Sequence, residues 1–160
     1  MCGIIGYVGR QEAAPILLEG LERMEYRGYD STGMAVCGDG VLRVCKKKGR
    51  VQVLREMSHD GADLPGTLGI GHTRWATHGE PSDVNAHPHL SQSGKFAVVH
   101  NGIIENFIAL KEELLQKGYT FRSETDTEVV AQLLDYYYSD CGDFFEAMNR
   151  LLHAVDGAYA

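Results

Sequence analysis

The chain opens Met1-Cys2-Gly3-Ile4-Ile5-Gly6-Tyr7-Val8, an apolar, β-leaning run that begins at the second residue. Such a run reads as a buried strand, so the fold starts inside its own core. A strand buried from its first residue needs neighbours beside it and a covering layer. The next segment supplies the layer: Glu12–Met24 has Ala14, Leu17, Leu18, Leu21 and Met24 on one helical face, with Pro15 tolerated in the first turn. At 160 residues, a chain buries roughly 70% of its unfolded surface and supports one sizeable core without staples, so one domain is the default. The acidic balance, 15 basic against 22 acidic side chains, leaves no electrostatic footprint for nucleic acid or an anionic membrane; Lys46, Lys47, Lys48 and Arg50 are the only basic cluster. No apolar run approaches the 18 or more residues of a membrane span, and the N-terminus lacks a charged region followed by an apolar one. The expected location is the cytoplasm.

Further along, Arg27–Gly33 reads as a loop. Met34–Cys37 and Val41–Lys46 read as a hairpin about a three-residue turn, Gly38-Asp39-Gly40. That turn sets Cys37 opposite Val41 and Cys45 too far along the ladder for a disulfide. With no C-x-x-C pair, Cys37, Cys45 and Cys141 are expected as small, half-buried hydrophobes. A short helix is expected near Val51–Met57. Strands at Thr67–His72 and Phe96–His100 enclose a polar loop carrying Arg74, Trp75, Thr77, His78 and Pro81, the kind of segment in which sites lie. Helices follow at Asn106–Lys117, closed by Gly118, then at Glu128–Tyr138 and Asp143–Val155. Thr125-x-x-Glu128 has the form of a capping box. Gly157–Ala160 starts another strand, and stopping there is the expectation for a fragment. Strands and helices grouped in blocks predict an α+β fold with packed sheets covered by helices.

Cys2 is where the chemistry begins. Removal of Met1 puts a thiol and an α-amine on one residue, with ordinary pKa values of roughly 8.5 and 7.7–8.0. Near neutral pH the amine can take the thiol proton and later return it to a leaving amine, with no histidine base. The competing reading is a buried structural cysteine capping a strand.

The choice is made by a set of segments in order. Cys2-Gly3-Ile4-Ile5-Gly6, Tyr26-Arg27-Gly28-Tyr29-Asp30-Ser31, Gly71-His72-Thr73-Arg74-Trp75-Ala76-Thr77-His78-Gly79, Asn85-Ala86-His87-Pro88, His100-Asn101-Gly102-Ile103 and Ser123-Glu124-Thr125-Asp126-Thr127-Glu128 resemble the glutaminase domains of glutamine–fructose-6-phosphate aminotransferases. These are class II glutamine amidotransferases of the N-terminal-nucleophile hydrolase superfamily, and the resemblance covers essentially the whole chain. It implies a four-layer αββα sandwich, truncated at its C-terminal side, spanning 1–160 as the glutaminase domain without the sugar isomerase domains. It also implies hydrolysis of the L-glutamine side-chain amide without a cofactor. Fructose 6-phosphate would be met only through the absent synthase domains, and the full-length enzyme would be a homo-oligomer.

The same resemblance assigns roles. Cys2 is the nucleophile, and the Asn101 side-chain amide with the Gly102 N–H forms the oxyanion hole; Asn-Gly is otherwise a turn dipeptide. Arg74 offers a planar fork to the glutamine α-carboxylate, against the bland alternative of a solvated charge. Asp126 receives the ammonium, although an acid at a helix start is favourable in any case. Trp75, Thr77 and His78 contact glutamine, the tryptophan lying on the ammonia route, while Arg27 and Gly28 support the nucleophile. The histidines His72, His78, His87, His89 and His100 lack the acidic partners and helical spacing of a zinc hydrolase, so they are expected to hydrogen-bond loops and no metal is assigned. Thr32 stands where the family more often has alanine, with an expected effect on loop packing alone. The rivals are another class II amidotransferase, of the asparagine-forming or purine-pathway type, and a noncatalytic metal- or partner-binding domain. The Tyr26–Ser31 and Arg74–His78 runs favour the hexosamine branch.

Overall fold

The computed structural model describes residues 2–76 and 79–160; Thr77 and His78 lie outside the described residues. The chain forms two compact units, Met1–Pro88 and His89–Ala160, each with its own apolar cluster among the described residues.

In the first unit, β1 (Gly3–Val8), β2 (Ser31–Gly38), β3 (Val41–Lys48) and β4 (Leu68–Arg74) form an antiparallel sheet in the order β1-β4-β2-β3. Helix α1 (Ala13–Met24) covers it, burying Ala14, Leu17, Leu18 and Leu21 as their spacing predicts. Val51 and Leu54 of α2 (Val51–Met57) complete the cluster with Met34 and Val36 of β2. The hairpin differs from expectation by one residue. Asp39 and Gly40 both have positive φ, 52° and 73°, and Gly38 pairs with Val41. This is the two-residue turn whose twist suits the strands, not a three-residue loop. Cys37 therefore faces Leu42, and Cys45 faces Met34. All four cysteines are free and partly buried.

Two further differences concern the same strand. β2 begins at Ser31, so Ser31, Thr32 and Gly33 are ladder residues between β3 and β4 and not loop. Thr32 is buried, with its hydroxyl on the His72 carbonyl at 3.1 Å, so its side chain belongs to sheet packing and not to a loop. The basic run is spent locally as well: Lys46 donates to the Val84 and Ala86 carbonyls, Lys47 pairs with Asp83, and Arg50 pairs with Glu25.

The second unit holds two small antiparallel pairs, β5 (His89–Leu90) with β6 (Ala97–Val98) and β7 (Gly102–Ile104) with β8 (Gly157–Tyr159). Three helices accompany them: α3 (Phe107–Gln116), α4 (Thr127–Cys141) and α5 (Phe144–Ala154). Leu110, Leu114, Val129, Leu133, Leu134, Ala147 and Leu151 close their shared cluster. The strand read at Phe96–His100 is only two residues long, and β7 was not anticipated.

The capping box does not form. Helix α4 has Asp126 as its N-cap, so the third helical residue, where a box needs its glutamate, is Val129, and Glu128 falls one position too early. Its carboxylate instead accepts the Arg122 and Ser123 N–H groups and the Ser123 hydroxyl at 2.6–3.1 Å. Thr125 meets Ser123 and His89. One and two turns further along the helix, Gln132 and Asp135 take the N–H groups of Gln92 and Ser93. Helix α4 thus presents a buried polar stripe that organises two loops, where amphipathic spacing alone suggests an apolar face.

Candidate active site

Antiparallel pairing of β1 with β4 sets Gly3 opposite Thr73, so the start of the chain lies at the same sheet end as Arg74. The Gly3 N–H donates to the Thr73 hydroxyl at 3.2 Å, anchoring the first ladder position. Cys2, one residue earlier, is partly buried. Its Sγ accepts the Trp75 N–H at 3.2 Å and lies 3.5 Å from the Trp75 carbonyl oxygen. The sulfur therefore meets the backbone polar groups of the residue that follows β4.

Arg74 is the last residue of β4 and is only 4% exposed, which excludes a solvated surface charge. Its Nη2 donates to the Gly79 carbonyl at 2.9 Å, and Nη1 lies 3.5 Å from that of Glu80. The Asn85 side-chain amide donates to the same Glu80 carbonyl at 2.9 Å. A buried guanidinium held in this way has a fixed orientation. Trp75 is 49% exposed and meets the Tyr29 ring edge-on, with centroids 5.5 Å apart.

Arg27 ends a short 3₁₀ turn and Gly28 follows it. A Cβ on Gly28 would meet the Arg74 carbonyl carbon at 2.8 Å and the Trp75 nitrogen at 3.1 Å. Gly28 is therefore packed on the Arg74–Trp75 peptide, whose N–H faces Cys2. Behind this strand end the buried rings of His72 and His87 stack with centroids 4.2 Å apart.

The remaining candidates stand in the second unit. Asn101 and Ala160 exchange both backbone hydrogen bonds, at 2.9 and 2.8 Å. Because the Asn101 carbonyl points to β8, the trans peptide plane aims the Gly102 N–H the other way. Gly102 has φ 136°, and a Cβ there would come within 2.2 Å of the Ala158 oxygen, so only glycine fits. Two residues on, the Ile104 N–H donates to Asp126 Oδ2 at 2.8 Å. Asp126 is 4% exposed, held by backbone at the start of α4. His100, just before Asn101, sits with Nδ1 2.8 Å from the Thr127 hydroxyl. Burial lowers its pKa below 6.5, with the Asp126 charge opposing the shift.

Of the expected site residues, the first unit gathers Cys2, Arg27, Gly28, Arg74 and Trp75 at one sheet end. The second gathers Asn101, Gly102 and Asp126 around β7. Sequence reading gave no role to Asp30, although its contacts run through the first group. Its signal was only its presence in Tyr26–Ser31, because its partners lie in a distant segment.

Residues 36–152 match a family model described as a glutamine amidotransferase domain. The chain is 61% identical over all its 160 residues to the glutamine–fructose-6-phosphate aminotransferase [isomerizing] of Caldanaerobacter subterraneus subsp. tengcongensis, and 57% identical to that of Aquifex aeolicus. It spans about a quarter of the length of these relatives, 26% of each. Among solved structures, glutamine phosphoribosylpyrophosphate amidotransferase from B. subtilis matches the whole chain at TM-score 0.84 and 28% identity, over 34% of its own length. A structure described as the allosteric regulatory enzyme of purine biosynthesis matches at 0.86 and 29%, also over 34% of its length. These matches show the expected α+β fold of the N-terminal-nucleophile hydrolase type. With the family model covering most of the chain and the solved structures all of it, the chain belongs to the glutamine amidotransferase domain family.

Proposed function

We propose that this chain is the glutaminase domain of a glutamine–fructose-6-phosphate aminotransferase, hydrolysing the glutamine side-chain amide to glutamate and ammonia. The observation that carries the reading is the second residue's thiol, set against the Trp75 N–H one residue beyond a buried arginine. High identity to aminotransferases along the entire chain supports the hexosamine branch over purine-pathway or asparagine-forming relatives.

In this reading Met1 is removed, and the free α-amine of Cys2 takes the thiol proton. The thiolate attacks the glutamine δ-carbonyl to give a tetrahedral oxyanion. The Asn101 side-chain amide and the Gly102 N–H receive that charge; the loss of one such donor typically costs about 2.7–4 kcal/mol of transition-state stabilisation. The ammonium of Cys2 protonates the leaving nitrogen, ammonia departs, and water cleaves the thioester to release glutamate. Arg74 holds the α-carboxylate and Asp126 the α-ammonium. Trp75, Thr77 and His78 border the substrate, and Arg27 and Gly28 steady the nucleophile. Amination of fructose 6-phosphate belongs to segments of the full-length, homo-oligomeric enzyme beyond this domain. The four free thiols fit a reducing compartment, and we place the protein in the cytoplasm.

The test pairs ammonia and glutamate release from glutamine with mass spectrometry after exposure to a glutamine-like electrophile. The expected result is turnover and a single adduct on an N-terminal Cys2. An adduct on another cysteine, or turnover by a form that retains Met1, overturns the mechanism.

A further inference from the structure

Asp30 immediately precedes β2 and makes contacts that converge on one short stretch of chain. Its N–H donates to the Arg74 carbonyl at 3.2 Å, and its own carbonyl accepts the Gly49 N–H at 2.9 Å. Its carboxylate accepts the Ser31 hydroxyl at 2.9 Å through Oδ1 and the Ala76 N–H through Oδ2. Asp30 therefore grips the residues on both sides of Trp75. Between those two grips lies the peptide whose carbonyl is held by Asp30 and whose N–H, trans to it, faces the Cys2 sulfur. Gly28 packs closely against the same peptide.

We propose that Asp30 is a positioning residue: it fixes the Arg74–Trp75–Ala76 backbone so that the Trp75 N–H points at Cys2 Sγ and the Arg74 side chain leaves β4 in one direction. The role rests on the glutaminase reading for its purpose, but the geometry it controls is measurable without glutamine. A backbone N–H that donates to a sulfur is protected from solvent exchange while its peptide is held in place. Loosening the peptide removes that protection, whereas deleting a nearby negative charge while keeping the grip does not. Asn in place of Asp30 keeps a carbonyl oxygen for Ala76 and offers its amide to the Ser31 hydroxyl. Ala keeps neither.

The experiment measures hydrogen exchange of the Trp75 amide by NMR in the 160-residue chain. Asp30→Ala is expected to speed exchange at Trp75 about tenfold or more, because the peptide opens locally once its grip is lost. Asp30→Asn is expected to stay within about twofold of wild type. Should Asp30→Ala fail to fold, Gly28→Ala gives a second reading: its methyl displaces the same peptide and is expected to speed exchange as well. Coincidence of Asp30→Ala with Asp30→Asn, or unchanged exchange in Gly28→Ala, overturns the positioning role. Wild-type protein with a slowly exchanging Trp75 amide but no ammonia release would instead count against the glutaminase reading and leave the Asp30 geometry standing.

Discussion

At Arg74 the side chain is long and charged, yet it is almost wholly buried at a strand end, with its fork directed at the backbone of residues 79–80. Lysine there keeps the charge but not the planar pair of donors. Arg74→Lys is therefore expected to raise KM for glutamine about tenfold or more with a smaller effect on kcat, since a charge-assisted contact contributes roughly 1.5–3 kcal/mol. Steady-state glutaminase kinetics check this, and an unchanged KM removes Arg74 from the carboxylate site. Gly102 argues differently. With φ 136° and a carbonyl oxygen in the space of any Cβ, Gly102→Ala must shift β7 off β8. The expected loss is mainly in kcat, by about 100-fold or more if the oxyanion donor moves. Residue type and order were enough to single out Cys2, Arg74 and Asn101-Gly102 as candidates. The direction of the Gly102 N–H was not legible in them, because it depends on a pairing with Ala160 made nearly sixty residues downstream.

Elements show where local pattern succeeds and where it slips. Helix α1 formed where its apolar spacing put it, because that spacing is a property of the segment itself. Helix α4 formed too, but Thr125-x-x-Glu128 misled: the cap is Asp126, so the glutamate falls in the wrong frame for a box and reaches out to residues 122–123 instead. This has a consequence for stability. Glu128→Ala strips a buried acceptor from two N–H groups and a hydroxyl, each costing about 1–3 kcal/mol when left unmade. It should lower the urea midpoint strongly, while Glu128→Gln, which retains one carbonyl oxygen, should lower it less. Equal midpoints for the two variants would show that the glutamate stem, and not its acceptors, supports the loop. Likewise, Ser31–Gly33 looked like loop from its small polar residues. It is strand because β3 and β4 flank it on both sides, and tertiary pairing overrode composition.

For the molecule as a whole, the buried His100 couples stability to pH. His100 has its pKa lowered by burial, the Asp126 charge only partly opposing this, so its neutral form is favoured when folded. The unfolded chain then binds more protons below pH 6.5, and stability falls as pH drops from that value toward the folded pKa. Urea midpoints at pH 5 and 7 should differ, with the difference reduced in His100→Gln; an unreduced difference assigns the acid response to other groups. Activity should be unaffected by added zinc or by EDTA, and a chelator-sensitive glutaminase would revive a metal role for the histidines. No helix among the described residues is long and apolar enough to cross a membrane.

The sequence alone determined which groups are available for chemistry and where most helices and strands lie, because residue identity and apolar periodicity are carried by contiguous segments. Only the tertiary structure decided what those groups face. The Trp75 N–H reaches a sulfur 73 positions earlier, and the Ala76 N–H an aspartate 46 positions earlier. Such partners follow from strand register and peptide orientation, which exist only after distant segments have paired.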